Sequence, residues 1–374
     1  MAGIGSPTTS TGQVAVAVAA FVVAGSYSQA GFKKFLEGGC VGRAVTSSCF
    51  KGVAKSVFAQ SLVMRQIVLG TGLARELQRR RDAVSQLQGS DEPDLMAAAL
   101  DDLGVALLAN GEKAPAEEAF RQAVDLCQRN ALEADSLWAA NNLAVALKSQ
   151  GPDRYREAQK LYQETLEARL RRDPGEKDPS TFTSMNNLAV LLRVQGQLAA
   201  AERLYRRALD LRRTVLGNLH PDTLTSINNL ASLLSITGRM EEAEILYAEA
   251  LAGCRATLGM KDMDTLLSAD NLASLLFQEG RAAEAEPLFR EAALGLATLL
   301  GERDPETLRS QDNLAVALMA LGRLEEAEVL LQSTVAGFRD TLGADHPDTL
   351  VAQENLQAVL EEKAARELEA MSTV

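Results

Sequence analysis

The chain has 374 residues, is 47% hydrophobic, 24% charged and only 4% aromatic, and carries a formal charge of −12. This composition excludes wholesale disorder, and the length allows two or three domains. The acidic balance argues against a nucleic-acid partner, the lack of an apolar run of about 18 residues against a stable membrane span, and scattered cysteines with two histidines against disulfide or zinc chemistry.

Residues 1–75 hold seven Lys or Arg and one acid, Glu37, for a net +6, which leaves −18 on the rest. This Ala-, Gly- and Ser-rich leader fits an organellar transit segment. The other readings are a disordered tail, or an apolar helix from about Val53 to Leu69 that caps the downstream helices. A cytoplasmic location is expected, with a plastid or mitochondrion reached through residues 1–75 as the alternative. Residues 76–92 read as a short helical linker. Leu73, Leu77, Val84 and Leu87 span barely two turns there, short of the three or four heptads a coiled coil needs.

From residue 93 to 364 the chain repeats. Leu188, Leu230, Leu272, Leu314 and Leu356 are each 42 residues apart, with Leu143 and Leu103 continuing the series upstream. Each unit reads as two amphipathic helices: Leu188, Leu191 and Leu192 at helical spacing, a stop at Gly196, then Leu198, Ala201, Leu204, Tyr205 and Ala208. Such a hairpin cannot bury its apolar face alone, so neighbours must stack. Ala189, Ala231, Ala273 and Ala315, with Ala201, Ala243, Ala285 and Ala327, fall where helix axes approach, and Tyr205, Tyr247 and Phe289 fill the space a turn later. Helix starts are encoded at His220-Pro221-Asp222, Asp304-Pro305-Glu306 and His346-Pro347-Asp348, with weaker versions at Asp178 and Asp262. Proline suits the first helical position, an acid after it suits the dipole, and the residue before it caps. Residues 365–374 read as a tail.

The leucine and small-residue pattern resembles tetratricopeptide repeats. The 42-residue period, Asn-Asn-Leu-Ala at 141–144 and 186–189, Leu-Gly at 216–217 and His-Pro-Asp at 220–222 look like the kinesin light chain type. The resemblance implies an all-α, right-handed superhelical solenoid of about six hairpins and a terminal helix. It implies protein–protein interaction without catalysis. The missing coiled coil argues against a kinesin heavy chain as partner.

The helical wheel separates the faces. With Leu143 at zero, Leu147 lies near 40° on the packed seam, whereas Trp138, Asn141 and Lys148 cluster at about 140–220°. In proteins resembling this one, that face lines a concave groove that takes an extended peptide. The equivalent positions define the candidate site: Trp138, Thr183, Thr225 and Arg309; Asn141, Asn186, Asn228, Asp270 and Asp312; Lys148, Arg193 and Ser235. Amides there can pair with a peptide backbone, Lys148 and Arg193 can meet acidic side chains at the middle repeats, and Trp138 can anchor by stacking or cover the join between hairpins one and two. Asn142, Asn187, Asn229, Asn271, Asn313 and Asn355, beside the leucines, are expected to bond between repeats. Arg171-Arg172 and Arg212-Arg213 are expected to be solvated helix ends or stems covering apolar surface.

No phosphate-binding glycine loop, zinc motif or basic aromatic patch occurs, and no cofactor is implied. The expected function is a scaffold that binds a protein or linear peptide. An organellar assembly factor and, remotely, an enzyme are the alternatives.

Overall fold

The computed structural model describes residues 73–89 and 91–372. The expectations for residues 1–72 lie outside the described residues. Among those described there are only helices: α1 (Leu73–Leu87), α2 (Pro93–Ala109), α3 (Lys113–Arg129), α4 (Glu133–Gln150), α5 (Tyr155–Arg172), α6 (Pro179–Val194) and α7 (Leu198–Leu216). They continue as α8 (Pro221–Ile236), α9 (Met240–Thr257), α10 (Met263–Gln278), α11 (Ala282–Leu300), α12 (Pro305–Ala320), α13 (Leu324–Leu342) and α14 (Pro347–Ser372), with a 3-10 turn at Pro152–Arg154. This is the expected all-α series of six helix pairs and a final helix.

Two compact units divide at Ser226 and Ile227, within α8. In the first unit α1 packs on α2, the pairs α2/α3, α4/α5 and α6/α7 form hairpins, and α3 and α5 each pack on the first helix of the following hairpin. In the second, α10/α11 and α12/α13 are hairpins, and α9, α11 and α13 pack on α10, α12 and α14. Helices α3, α5, α11 and α13 are therefore each held on two sides, which is how a hairpin with too little core of its own gains one.

The seams are made of the expected small residues. Ala189 and Ala201 in the first unit, and Ala231, Ala243, Ala273, Ala285, Ala315 and Ala327 in the second, are fully buried. Tyr162, Tyr205, Tyr247 and Phe289 are buried beside them. Closer approach still is reached at Gly337, where an added Cβ would stand 2.7 Å from Leu308 Cδ2.

Helix starts follow the sequence signals. Asp178, Asp262 and Asp304 each accept a hydrogen bond from the backbone N–H two residues on, at 2.9, 3.0 and 2.9 Å. His220 and His346 do the same through Nδ1, at 3.1 and 3.2 Å from the N–H of Asp222 and Asp348. The turn from α6 to α7 passes Gly196 at φ +77°, where the Gln197 N–H closes on the Leu192 carbonyl at 2.8 Å. That positive φ suits glycine.

Both ends differ from expectation. The stretch 76–92 contains most of α1, which is no free linker: Leu77 is buried, and Val84 packs on the cluster of Leu100, Ala123 and Ala139. It covers apolar surface that an uncapped first hairpin would expose. Helix α14 runs on to Ser372, through most of the expected tail. Exposed pairs four residues apart, Gln357–Glu361 and Arg366–Glu362, support that extension.

Two substitutions test this packing by denaturant melts. Gly337→Ala is expected to cost about 1–3 kcal/mol by overpacking against Leu308. Asp304→Ala removes a helix cap and is expected to cost about 1 kcal/mol.

Candidate functional site

The first helices of successive hairpins are tied by a polar ladder. In the first unit, Asn142 donates to both carboxylate oxygens of Asp101 at 3.0 and 2.9 Å. Asn187 donates to Asn141 Oδ1 at 3.3 Å, and Ser184 approaches the same oxygen at 3.5 Å. In the second unit, Asn313 and Ser310 donate to Asp270 at 3.1 and 2.9 Å, Asn355 donates to Asp312 at 2.9 Å, and Asn228 donates to Ser268 at 2.9 Å. Asn142, Asn187, Asn313 and Asn355 thus act between repeats, as the wheel suggests for them.

Their acceptors are the very series assigned to the peptide. Asn141 is only 3% exposed and Asn228 4%, so neither presents a free amide on the open face. The wheel of one isolated helix misses this because it contains no neighbouring first helix. The next repeat's first helix covers the flank on which these side chains lie. Asn186 is half-buried.

Other predicted positions are also engaged. Thr183 and Thr225 donate to the carbonyls of Pro179 and Pro221, four residues back in their own helices. Ser235 is buried, 3.8 Å from Met240 Sδ. Arg309 pairs with Glu306 at 2.5 Å and Asp348 at 3.1 Å, both near the starts of helices.

What the structure brings together in the first unit is a group of cations. Burial pushes the Lys148 ammonium down to about 7, and the neighbouring Arg193 charge adds to the effect. Arg193 is buried on α6. Trp138 stays 46% exposed, with the Arg169 guanidinium 5.7 Å from its ring centroid. That is a cation–π distance. Trp138 thus borders the open face, and its indole favours the charged form of the Asp101 carboxyl.

Sequence reasoning missed Arg169 and Arg212. Arg171 and Arg172 are solvated as expected, but Arg212 is buried, donating to the Asp222 carbonyl at 2.8 Å, Ser226 Oγ at 2.7 Å and Thr183 Oγ1 at 3.1 Å. Arg169 is buried too and donates to the Ser180 carbonyl. Burial lowers the pKa of both guanidinium groups. The signal was present in the register: Arg169 and Arg212 occupy the repeat position held by Cys127, Cys254, Leu296 and Phe338, all of them buried.

No group of three or more His, Cys, Asp or Glu able to hold a metal ion occurs among the described residues, and no described helix is long and apolar enough to cross a membrane.

Comparison with known proteins gives one consistent answer. One tetratricopeptide repeat family model matches residues 135–214 and 180–256, and a second matches 96–131, 265–306 and 307–348. No curated protein matches the chain. Among solved structures, a Podosopora anserina protein named for kinesin light chain, with nearly identical TPR-like repeats, shares 27% identity. The match covers 55% of this chain and 96% of that one, at a TM-score of 0.48. A tetratricopeptide repeat protein from Parabacteroides merdae shares 14% identity over 82% of this chain and 99% of its own, at 0.50. The APC/C hetero-tetramer Cut9-Hcn1 matches at 13% identity over 88% and 58%, at 0.55. The last two share the fold.

The ladder carries a titration signature. Burial is the main cause that raises the carboxyl pKa of Asp101 and Asp270 to about 6 and of Asp312 to about 7, and the Asp348 charge adds to the rise at Asp312. A carboxyl whose folded-state pKa lies above its ordinary value binds more protons folded than unfolded, so stability falls as pH climbs between the two values. For Asp312 that window runs from about 4 to about 7. Asp312→Asn keeps an acceptor for Asn355, as the amide of Asn141 does for Asn187. The variant is expected to melt several degrees above the parent at pH 8 and together with it at pH 4, measured by circular dichroism.

Proposed function

We propose, from the premise that this chain belongs to the tetratricopeptide repeat family, that its first unit binds an extended acidic peptide across the first-helix face of hairpins two and three. The family is typically a non-catalytic protein-interaction scaffold. The peptide class is our reading. What carries it is Lys148, whose ammonium is held down to about 7 by burial and, second to that, by the neighbouring Arg193 charge. A carboxylate placed beside it favours the charged ammonium. The exposed face of Trp138 lies on the same helix as Lys148 and offers an apolar anchor. Net charge supports the choice of unit. Residues 73–226 hold 21 bases against 23 acids, whereas 227–374 hold 11 against 26.

The roles within the site differ from those the wheel suggests. Asn141 is a stacking residue, and recognition rests on Trp138, Lys148 and Asn186, with the buried Arg193 behind them. The Asn-Asn-Leu-Ala and His-Pro-Asp motifs, which resemble the kinesin light chain type, support a linear-peptide ligand without naming one. We place the protein in the cytoplasm.

The test is fluorescence anisotropy with a labelled glutamate-rich peptide of about ten residues, for which a Kd of about 10 μM is expected. Lys148→Ser, which installs the residue found at the equivalent Ser235, is expected to weaken binding about tenfold. Because the bound acid favours the charged ammonium, affinity should fall about tenfold from pH 6 to pH 8 in the parent and stay flat in Lys148→Ser. Equal affinity of parent and variant at pH 6 overturns the assignment.

A further inference from the structure

The second helices of the hairpins carry a change along the chain that the peptide site does not use. One exposed position of each second helix reads Glu118, Lys160, Arg203, Ile245, Pro287, Val329. Another, one or two turns on, reads Asp125, Glu167, Asp210, Ala252, Leu294, Ala336. Both are charged in α3, α5 and α7, and both are apolar in α9, α11 and α13. In a repeat array the equivalent positions are built alike, so a face that is solvated in three hairpins has no packing reason to turn apolar in the next three.

The change culminates in a cavity of about 600 Å³ between α11 and α13. Leu314 and Leu318 of α12 form its floor, and Leu294 and Val329 form its walls. Those wall residues are 63% and 69% exposed. Glu302, Glu325, Glu326 and Arg290 also line it; Glu326 pairs with Arg323 at 2.6 Å, and Glu325 lies 3.7 Å from Lys363. Arg290 is itself occupied by Glu286 at 2.5 Å. The surrounding unit is strongly anionic, with 26 acids to 11 bases over residues 227–374.

We infer that this groove docks an amphipathic helix whose apolar face is flanked by Lys or Arg, contributed by a partner protein. A groove bounded by two second helices and floored by a first helix presents the ridges that a third helix packs against. The acids around it select a cationic rim and repel an anionic one. The site is separate from the proposed peptide face and takes a ligand of opposite charge.

The test uses the full chain and three synthetic helical peptides of about 18 residues. One has leucines at i, i+3, i+4 and i+7 with flanking lysines, one has glutamates in place of the lysines, and one is a scrambled twin of the first. The lysine helix is expected to bind, and the other two at least about tenfold more weakly. Leu294→Ala and Val329→Lys install residues that the array already carries at Ala252 and Lys160, so the fold is kept and circular dichroism checks it. Together they are expected to weaken the lysine helix at least about tenfold. Equal binding by the double variant, or by the scrambled twin, overturns the proposal. So does a photo-cross-linker at Val329 that captures a second copy or residues 1–72, which carry six bases and one acid, in preference to the peptide.

Discussion

A hairpin of two short helices, rich in alanine and poor in aromatics, has too little apolar surface of its own to stay folded, and everything else in this protein depends on how closely its helices can be brought together. The fully buried alanines at 189, 201, 273, 285, 315 and 327 set that distance. With no side chain beyond Cβ, they let one aromatic per hairpin, such as Tyr205 or Phe289, fill the remaining gap. The low aromatic content is a consequence of this geometry, because larger residues at the seam would separate the axes.

Close approach has a second effect. It puts the polar flank of each first helix within hydrogen-bond reach of the next, and polar groups so placed must be paired. Asn142 with Asp101, Asn187 with Asn141, Asn313 with Asp270 and Asn355 with Asp312 are the result. Three of these acceptors are carboxylates and one is an amide, and the difference is electrical. An amide is indifferent to pH, whereas a buried carboxylate with few donors is driven toward its neutral form, as at Asp312. Further from the seam, partly exposed ion pairs such as Arg154–Glu117, Arg281–Glu244 and Arg323–Glu286 join the start of one second helix to the second helix before it, where solvent screens them.

The interior of the array is thus repetitive and its faces are not. Cations gather on the first helices of the first unit, around Lys148 and Arg193, while apolar residues gather on the second helices of the second unit, around Leu294 and Val329. Repetition is required for stacking, so the positions that break it are free of that requirement and available for recognition. Arg169 and Arg212 are an intermediate case. They break the repeat inside the packing, where Cys254 and Phe338 stand elsewhere, and their guanidinium groups reach carbonyls and hydroxyls of the following helix.

Period, hairpin boundaries, seam alanines and the caps at Asp178, Asp262, Asp304, His220 and His346 were all legible in the sequence. Each is a local matter of spacing or of backbone groups two residues away. The site was less legible. A wheel drawn on one helix separates buried from exposed, but it does not contain the neighbouring helix, so it placed Asn141 and Asn228 on an open face where the structure buries them. The sequence also pointed to a solvated end for Arg212, which the structure buries. The sequence by itself determined which residues make helices and that those helices must stack, because helix periodicity and the hydrophobic effect act along a single chain segment. Only the tertiary structure decided which polar groups are consumed by stacking and which stay available to a partner, because that choice depends on distances between side chains some forty residues apart.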